Sequence, residues 1–117
     1  MKKKIVILGS TGSIGTSTLK IINQNKNKFD IKLLSTHKNI YKIVMQAKQF
    51  NVKNVIISDY RSYILAKKKY KKININFHNK FEIIDELLSK KEIFYSMISI
   101  VGIDGLKPTL QLIKYSK

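Results

Sequence analysis

Residues 5–22 read IVILGSTGSIGTSTLKII, and the rest of the chain falls into order around this stretch. Ile5, Val6, Ile7 and Leu8 make a continuous, largely β-branched run, the pattern of a strand covered on both faces in a parallel sheet. Gly9, Gly12 and Gly15 follow at intervals of three, in a chain with only five glycines. From Ser13 onward Ile14, Thr18, Ile21 and Ile22 recur at helical spacing, which predicts a helix to about Asn25. Strand, glycine turn and helix succeed one another with no spacer.

Each glycine has its own reason to be there. Gly9 lets the chain turn off the strand, Gly12 removes a side chain where a ligand would approach the backbone, and Gly15 allows the helix to lie against the sheet. The first N–H groups of such a helix lack intrahelical acceptors and sit at the positive end of its dipole, so the turn is suited to an anion. Thr11 and Ser13 add hydroxyls that can donate to that anion or cap the helix. The spacing is G-x-x-G-x-x-G, a relative of the G-x-G-x-x-G dinucleotide fingerprint, in the strand-to-helix context that the fingerprint requires. A purely structural tight turn is the competing reading.

The remaining pattern alternates strands with helices. Ile31 to Ser35 reads as a second strand; Ile40, Ile43, Val44, Ala47 and Phe50 mark a second helix. "NVIIS", 54–58, is a third strand and 61–71 a helix with a lysine-rich end. "ININF", 73–77, alternates strictly and predicts an edge strand with one wet face. A helix is expected over Lys80–Ser89, with Phe81, Ile84, Leu87 and Leu88 inward. "SMISIV", 96–101, is a last strand, and a final helix begins near Leu106 with Pro108 in its first turn. With no linker or repeat, the expected architecture is one α/β domain over 1–117: a doubly wound, Rossmann-like parallel sheet with right-handed crossovers.

Which dinucleotide would fit is set by the end of the second strand. An NAD site places a carboxylate there to accept from the ribose 2′-hydroxyl. Here residues 35–39 are "STHKN", with no acid. Lys38 supplies charge and Asn39 supplies donors for a 2′-phosphate, which points to NADP(H). Asn39 can equally be a helix cap, and Lys38 is one of 22 lysines. In "IVGIDG", 100–105, Gly102 lies at the carboxyl end of a late strand, where it either lets backbone approach the nicotinamide half or makes an ordinary turn.

The net charge of +16 raises nucleic acid as a partner. Yet 22 of the 23 basic residues are lysine and only Arg61 is arginine, whereas base-reading surfaces favour the arginine fork. Lys, Ile, Asn, Tyr and Phe are residues of A/T-rich codons, so codon bias accounts for the charge and nucleic acid is not the expected partner. A small basic nucleic-acid-binding protein, using "AKKKYKK" at 66–72, is the alternative. The chain has no cysteine, no apolar run near 20 residues and no export signal after its lysine-rich start, so a cytoplasmic protein without a membrane partner is expected.

"ILGSTGSIGTSTL", then "KN", then "IVGIDGLKPTL" closely resemble, in order, the amino-terminal NADPH-binding domain of the 1-deoxy-D-xylulose 5-phosphate reductoisomerases. The resemblance covers essentially the whole chain, including the extra strand at "ININF". It implies cofactor contacts from Thr11, Gly12, Ser13 and Ile14, and from Lys38 and Asn39. His37 stands where the family commonly has a small residue, and an imidazole there could face the adenosine phosphate. Ser99, Ile103 and Asp104 also depart from the family's "AIVGAAGL". The implied reaction is rearrangement of 1-deoxy-D-xylulose 5-phosphate and its reduction by NADPH to 2-C-methyl-D-erythritol 4-phosphate, in non-mevalonate isoprenoid synthesis. The Mg²⁺ or Mn²⁺ ligands belong to a catalytic domain expected to lie outside this sequence, which stops at "YSK". The implied partners are that remainder of the enzyme and, for the whole enzyme, a second copy. The 117 residues alone are expected to bind cofactor without catalysing the reaction, and to be marginally stable. A cofactor domain from another NADP-dependent dehydrogenase family is the remaining alternative.

Overall fold

The apolar run that opens the chain becomes the middle of a sheet. The computed structural model describes residues 3–84 and the backbone of 95–98. In chain order its elements are β1 (Lys3–Leu8), α1 (Ser13–Asn23), β2 (Phe29–Thr36), α2 (Ile40–Phe50), β3 (Asn54–Ile57), α3 (Tyr60–Lys69), β4 (Asn76–His78) and β5 (Tyr95–Ile98). The strands lie in the order β4-β3-β2-β1-β5, every pair parallel. The chain works outward from β1 to β4 and then crosses back to place β5 on the other side of β1. That reversal makes the carboxyl ends of β1 and β5 the switch point of the sheet, where a crevice opens in such folds.

The unbroken apolar character of β1 has a direct cause: both of its faces are covered. Ile5 and Ile7 join Leu19 and Ile22 of α1, Ile43, Val44 and Ala47 of α2 and Ala66 of α3 in one core. Val6 and Leu8 join Leu33, Ile56 and Ile84 in a second core across the sheet. The four apolar side chains of β1, Ile5 to Leu8, are wholly buried. In β2 the register shifts at Ile5/Val6, so that Ile5 faces Ile31 but Val6 faces Leu33. The extra residue is Lys32, paired with Asp30 at 2.6 Å. This bulge reverses the alternation, which is why Ile31 and Leu34 both serve the first core while Leu33 serves the second.

The structure adds the facing of α1 and corrects the bounds of the edge strand. The inward stripe of α1 is Gly15, Leu19 and Ile22, whereas Ile14 and Ile21 are 62% and 64% exposed. Positions 15, 19 and 22 share one helical face, and the isoleucines at 14 and 21 fall on the next. The edge strand is shorter and later than "ININF": it holds only Asn76, Phe77 and His78, beside β3. Turn bonds from Ile73 N–H to the Tyr70 carbonyl and from Ile75 N–H to the Ile73 carbonyl occupy the backbone just before it. Ile73 and Ile75 still pack against the first core, which explains the alternation without a strand. Ile84 is buried as expected, but Leu87, Leu88, the last helix and Gly102 lie outside the described residues.

The lysine run 66–72 has a structural account. Ala66 is buried, Lys67–Lys69 close α3 where the helix dipole favours cations, and Lys67 and Lys69 lie over the rings of Tyr63 and Tyr70. At the other end of α3, Asp59 accepts from the Ser62 hydroxyl at 2.7 Å and the Ser62 N–H at 3.1 Å. Those two bonds hold the Asp59 carboxyl below its ordinary 3.8 against an opposing effect of burial, with lesser help from the nearby charges of Lys38 and His37. A carboxyl depressed on folding stabilises above its unfolded value and loses that contribution as pH falls through the folded one. The stability difference between wild type and Asp59→Ala is therefore expected to be constant near neutrality and to close as pH drops below about 4 in urea titrations.

Candidate functional site

The β1–α1 turn is built by three interlocking sets of bonds. Gly9 takes φ 74°, a conformation that favours glycine, and its carbonyl accepts from Gly12 N–H at 3.1 Å. Gly9 N–H donates to Ser35 Oγ at 2.8 Å and Ser10 N–H to the Ser35 carbonyl at 2.9 Å, so the end of β2 holds the turn from one side. From the other side, the buried pair Ser10 and Gln46 exchange two bonds. Ser10 Oγ donates to Gln46 Oε1 at 2.8 Å, and Gln46 Nε2 donates to the Ser10 carbonyl at 2.9 Å.

Gln46 was not among the residues singled out from the sequence. A signal was available, since it falls three residues after Ile43 inside an apolar stripe, where a glutamine needs a partner. Gln46→Leu leaves the Ser10 carbonyl without that donor and is expected to destabilise the chain by about 2 kcal/mol, read as a shift in the urea midpoint at unchanged slope.

Among the described α-helices α1 to α3, the one that starts at this turn has no side-chain cap. Gly12 is its N-cap residue and can supply none, and neither Thr11 nor Ser13 takes the capping role that was one of the two open to them. Asn39 caps α2 through Lys42 N–H at 3.2 Å, and Asp59 caps α3. The first N–H groups of α1, on Ser13, Ile14 and Gly15, therefore have neither an intrahelical acceptor nor a capping oxygen. Gly12, Ser13 and Ile14 are exposed around them. Thr11 and Thr36 share a hydroxyl–hydroxyl bond of 2.6 Å, so Thr36 can donate to Thr11 and leave the Thr11 proton for a ligand.

The second predicted cluster adjoins the first. Lys38 and Asn39 are exposed at the start of α2, next to the Thr36 end of β2. Asn39 uses its Oδ1 as the cap, which leaves its NH₂ as the donor; the two readings of Asn39 are compatible. His37 is exposed, its Nδ1 2.8 Å from Ser58 Oγ. Gly9, Thr11, Gly12, Ser13, Ile14 and Gly15 thus form one arc, and His37, Lys38 and Asn39 extend it along the carboxyl edge of the sheet. No group of three or more His, Asp or Glu among the described residues could hold a metal ion. No helix among them is long and apolar enough to cross a membrane.

A doubly wound parallel sheet whose first strand runs through a glycine turn into an uncapped helix defines the dinucleotide-binding, Rossmann-like class of α/β proteins. Residues 5–117 match the family profile of 1-deoxy-D-xylulose 5-phosphate reductoisomerase, and the chain belongs to that family. Another dehydrogenase family is thereby set aside.

The chain is 47% identical over 116 residues to the 1-deoxy-D-xylulose 5-phosphate reductoisomerase of Pelagibacter ubique (strain HTCC1062), covering 98% of this chain and 30% of that protein. The Porphyromonas gingivalis enzyme (strain ATCC 33277) is 36% identical over 117 residues, covering 100% of this chain and 30% of its own length. Among solved structures, the reductoisomerase from Zymomonas mobilis in complex with NADPH superposes with a TM-score of 0.86 at 28% identity, over 98% of this chain and 30% of that one. A DOX-P reductoisomerase in complex with NADPH, fosmidomycin and magnesium gives 0.83 at 29% identity, over 94% and 27%. The chain spans about three tenths of the length of these relatives.

Proposed function

We propose that this chain binds NADPH at the β1–α1 turn and is the cofactor-holding part of a 1-deoxy-D-xylulose 5-phosphate reductoisomerase. The observation that carries the reading is the start of α1. Ser13 and Ile14 keep free amides at an exposed, positive helix end, while α2 and α3 close theirs with Asn39 and Asp59. The pyrophosphate takes those amides and the Thr11 hydroxyl, and Gly12 offers no side chain to obstruct it. Lys38 and Asn39, with His37 beside them, take the 2′-phosphate. Asp59, whose N–H donates to the His37 carbonyl, is committed to Ser62 and does not stand in for a ribose-binding carboxylate. Gly9 and Gly15 shape the turn. Gly102 is assigned to the nicotinamide side on its sequence position, at the carboxyl end of a late strand.

When bound, NADPH supplies a hydride; the residues described here bind and orient it and hold no proton-transfer role. The whole protein is proposed to convert 1-deoxy-D-xylulose 5-phosphate to 2-C-methyl-D-erythritol 4-phosphate in the cytoplasm as a homodimer. Its metal ligands would come from outside residues 3–84. Titration of the chain with NADPH and NADH tests the reading. Saturable binding at least about tenfold tighter for NADPH is expected from one added charge-assisted contact set. Absence of saturable binding to either nucleotide would refute it, and preference for NADH would refute the 2′-phosphate assignment.

A further inference from the structure

Lys42 links the two halves of the site. It lies in the first turn of α2, where its N–H donates to Asn39 Oδ1 at 3.2 Å. Its side chain runs back to the glycine turn, and Nζ donates to the Thr11 carbonyl at 3.1 Å. An ammonium has three donors, and one carbonyl engages one of them. No carboxylate pairs with Lys42 among the described residues, so its charge is held in place without being neutralised. The three lysines of α3, Lys67 to Lys69, are exposed; Lys42 instead is partly buried against the turn. Thr11, the residue it holds, is itself bonded to Thr36, one position before His37.

We propose that Lys42 is a specificity-determining residue of the cofactor site, its ammonium contacting the 2′-phosphate of the adenosine ribose from the glycine-turn side while Lys38 and Asn39 contact it from the β2 side. This rests on the cofactor reading given above. A phosphate set between the turn and residues 37–39 would accept from the two remaining Lys42 donors. The same charge is of little use to a ribose carrying only a hydroxyl, so Lys42 acts on selectivity more than on nucleotide binding in general.

The test compares wild type, Lys42→Met and Lys42→Arg as full chains, titrated calorimetrically with NADPH and with NADH. Loss of one charge-assisted contact is expected to weaken NADPH binding about tenfold in Lys42→Met and to leave NADH within about twofold. Lys42→Arg is expected to restore NADPH to within about threefold of wild type. Equal weakening of both nucleotides in Lys42→Met would place the ammonium on the pyrophosphate or show that it merely braces the turn, and would overturn the inference. Unchanged NADPH affinity would overturn it too. If wild type binds neither nucleotide, the cofactor reading fails and this inference with it. If wild type binds NADPH selectively and Lys42→Met is as selective, only the inference about Lys42 fails.

Discussion

Gly15→Ala is expected to destabilise the chain by about 2–3 kcal/mol, although alanine is the better helix former by about 1 kcal/mol. A Cβ at this position would lie 2.5 Å from the Gly9 carbonyl oxygen, 2.5 Å from Ser10 Cα and 2.8 Å from Ser10 C. All three are backbone atoms of a turn pinned on both sides, by Ser35 and by Gln46, so none can rotate away as a side-chain tip would. Overpacking of this kind outweighs the helical gain. Urea denaturation of the two proteins measures the effect, and a variant as stable as wild type would show that α1 can move off the turn without cost. The structure refines the reason for the glycine: α1 is pressed against the turn itself, at Gly9 and Ser10.

The same substitution three residues earlier is expected to behave in the opposite way. At Gly12 an added Cβ meets only the Gly9 carbonyl oxygen, at 3.4 Å, an ordinary contact, and φ is −76°, which any residue adopts. Gly12→Ala should cost no more than about 1 kcal/mol, the usual loss when alanine replaces glycine at an N-cap position. Yet Gly12 is exposed on the side where an anion would reach the Ser13 and Ile14 amides, so the methyl group intrudes on the proposed pyrophosphate position. NADPH and NADH are both expected to bind at least about tenfold more weakly, because both carry a pyrophosphate. Calorimetric titration alongside a melting curve separates the outcomes. Unimpaired binding in a folded Gly12→Ala would move the ligand away from this turn. Together the two alanines divide the glycine triplet into a folding position and a binding position.

Much of this was legible because the relevant signals are local. The β-branched run, the glycine spacing and the stripe Ile43, Val44, Ala47 each depend on neighbours a few residues away, and each is found where the pattern puts it. What escaped depends on partners far along the chain. Nothing near Lys42 distinguishes it from 21 other lysines; its meaning comes from Thr11, reached only after α2 folds back. Gln46 is explained by Ser10 in the same way. The bulge at Lys32 is a matter of register against β1, which β2 alone cannot express. The spacing of Ile14, Thr18, Ile21 and Ile22 defines the helix without saying which stripe faces inward. Gly15, which has no hydrophobic signal at all, marks the true inner face.

The placement of β5 has a consequence in time. Ile5 has its partner Ile31 on one side early in synthesis, but on the other side it waits for Tyr95. At ribosomal rates of about 5–20 residues per second, several seconds separate the arrival of those two neighbours. Throughout that interval the wholly buried run Ile5–Leu8 presents one unpaired flank, and parallel closure over so long a loop is intrinsically slow. The nascent chain is thus most exposed to mispairing, and most in need of a holding chaperone, after α3 has emerged and before Tyr95–Ile98 does.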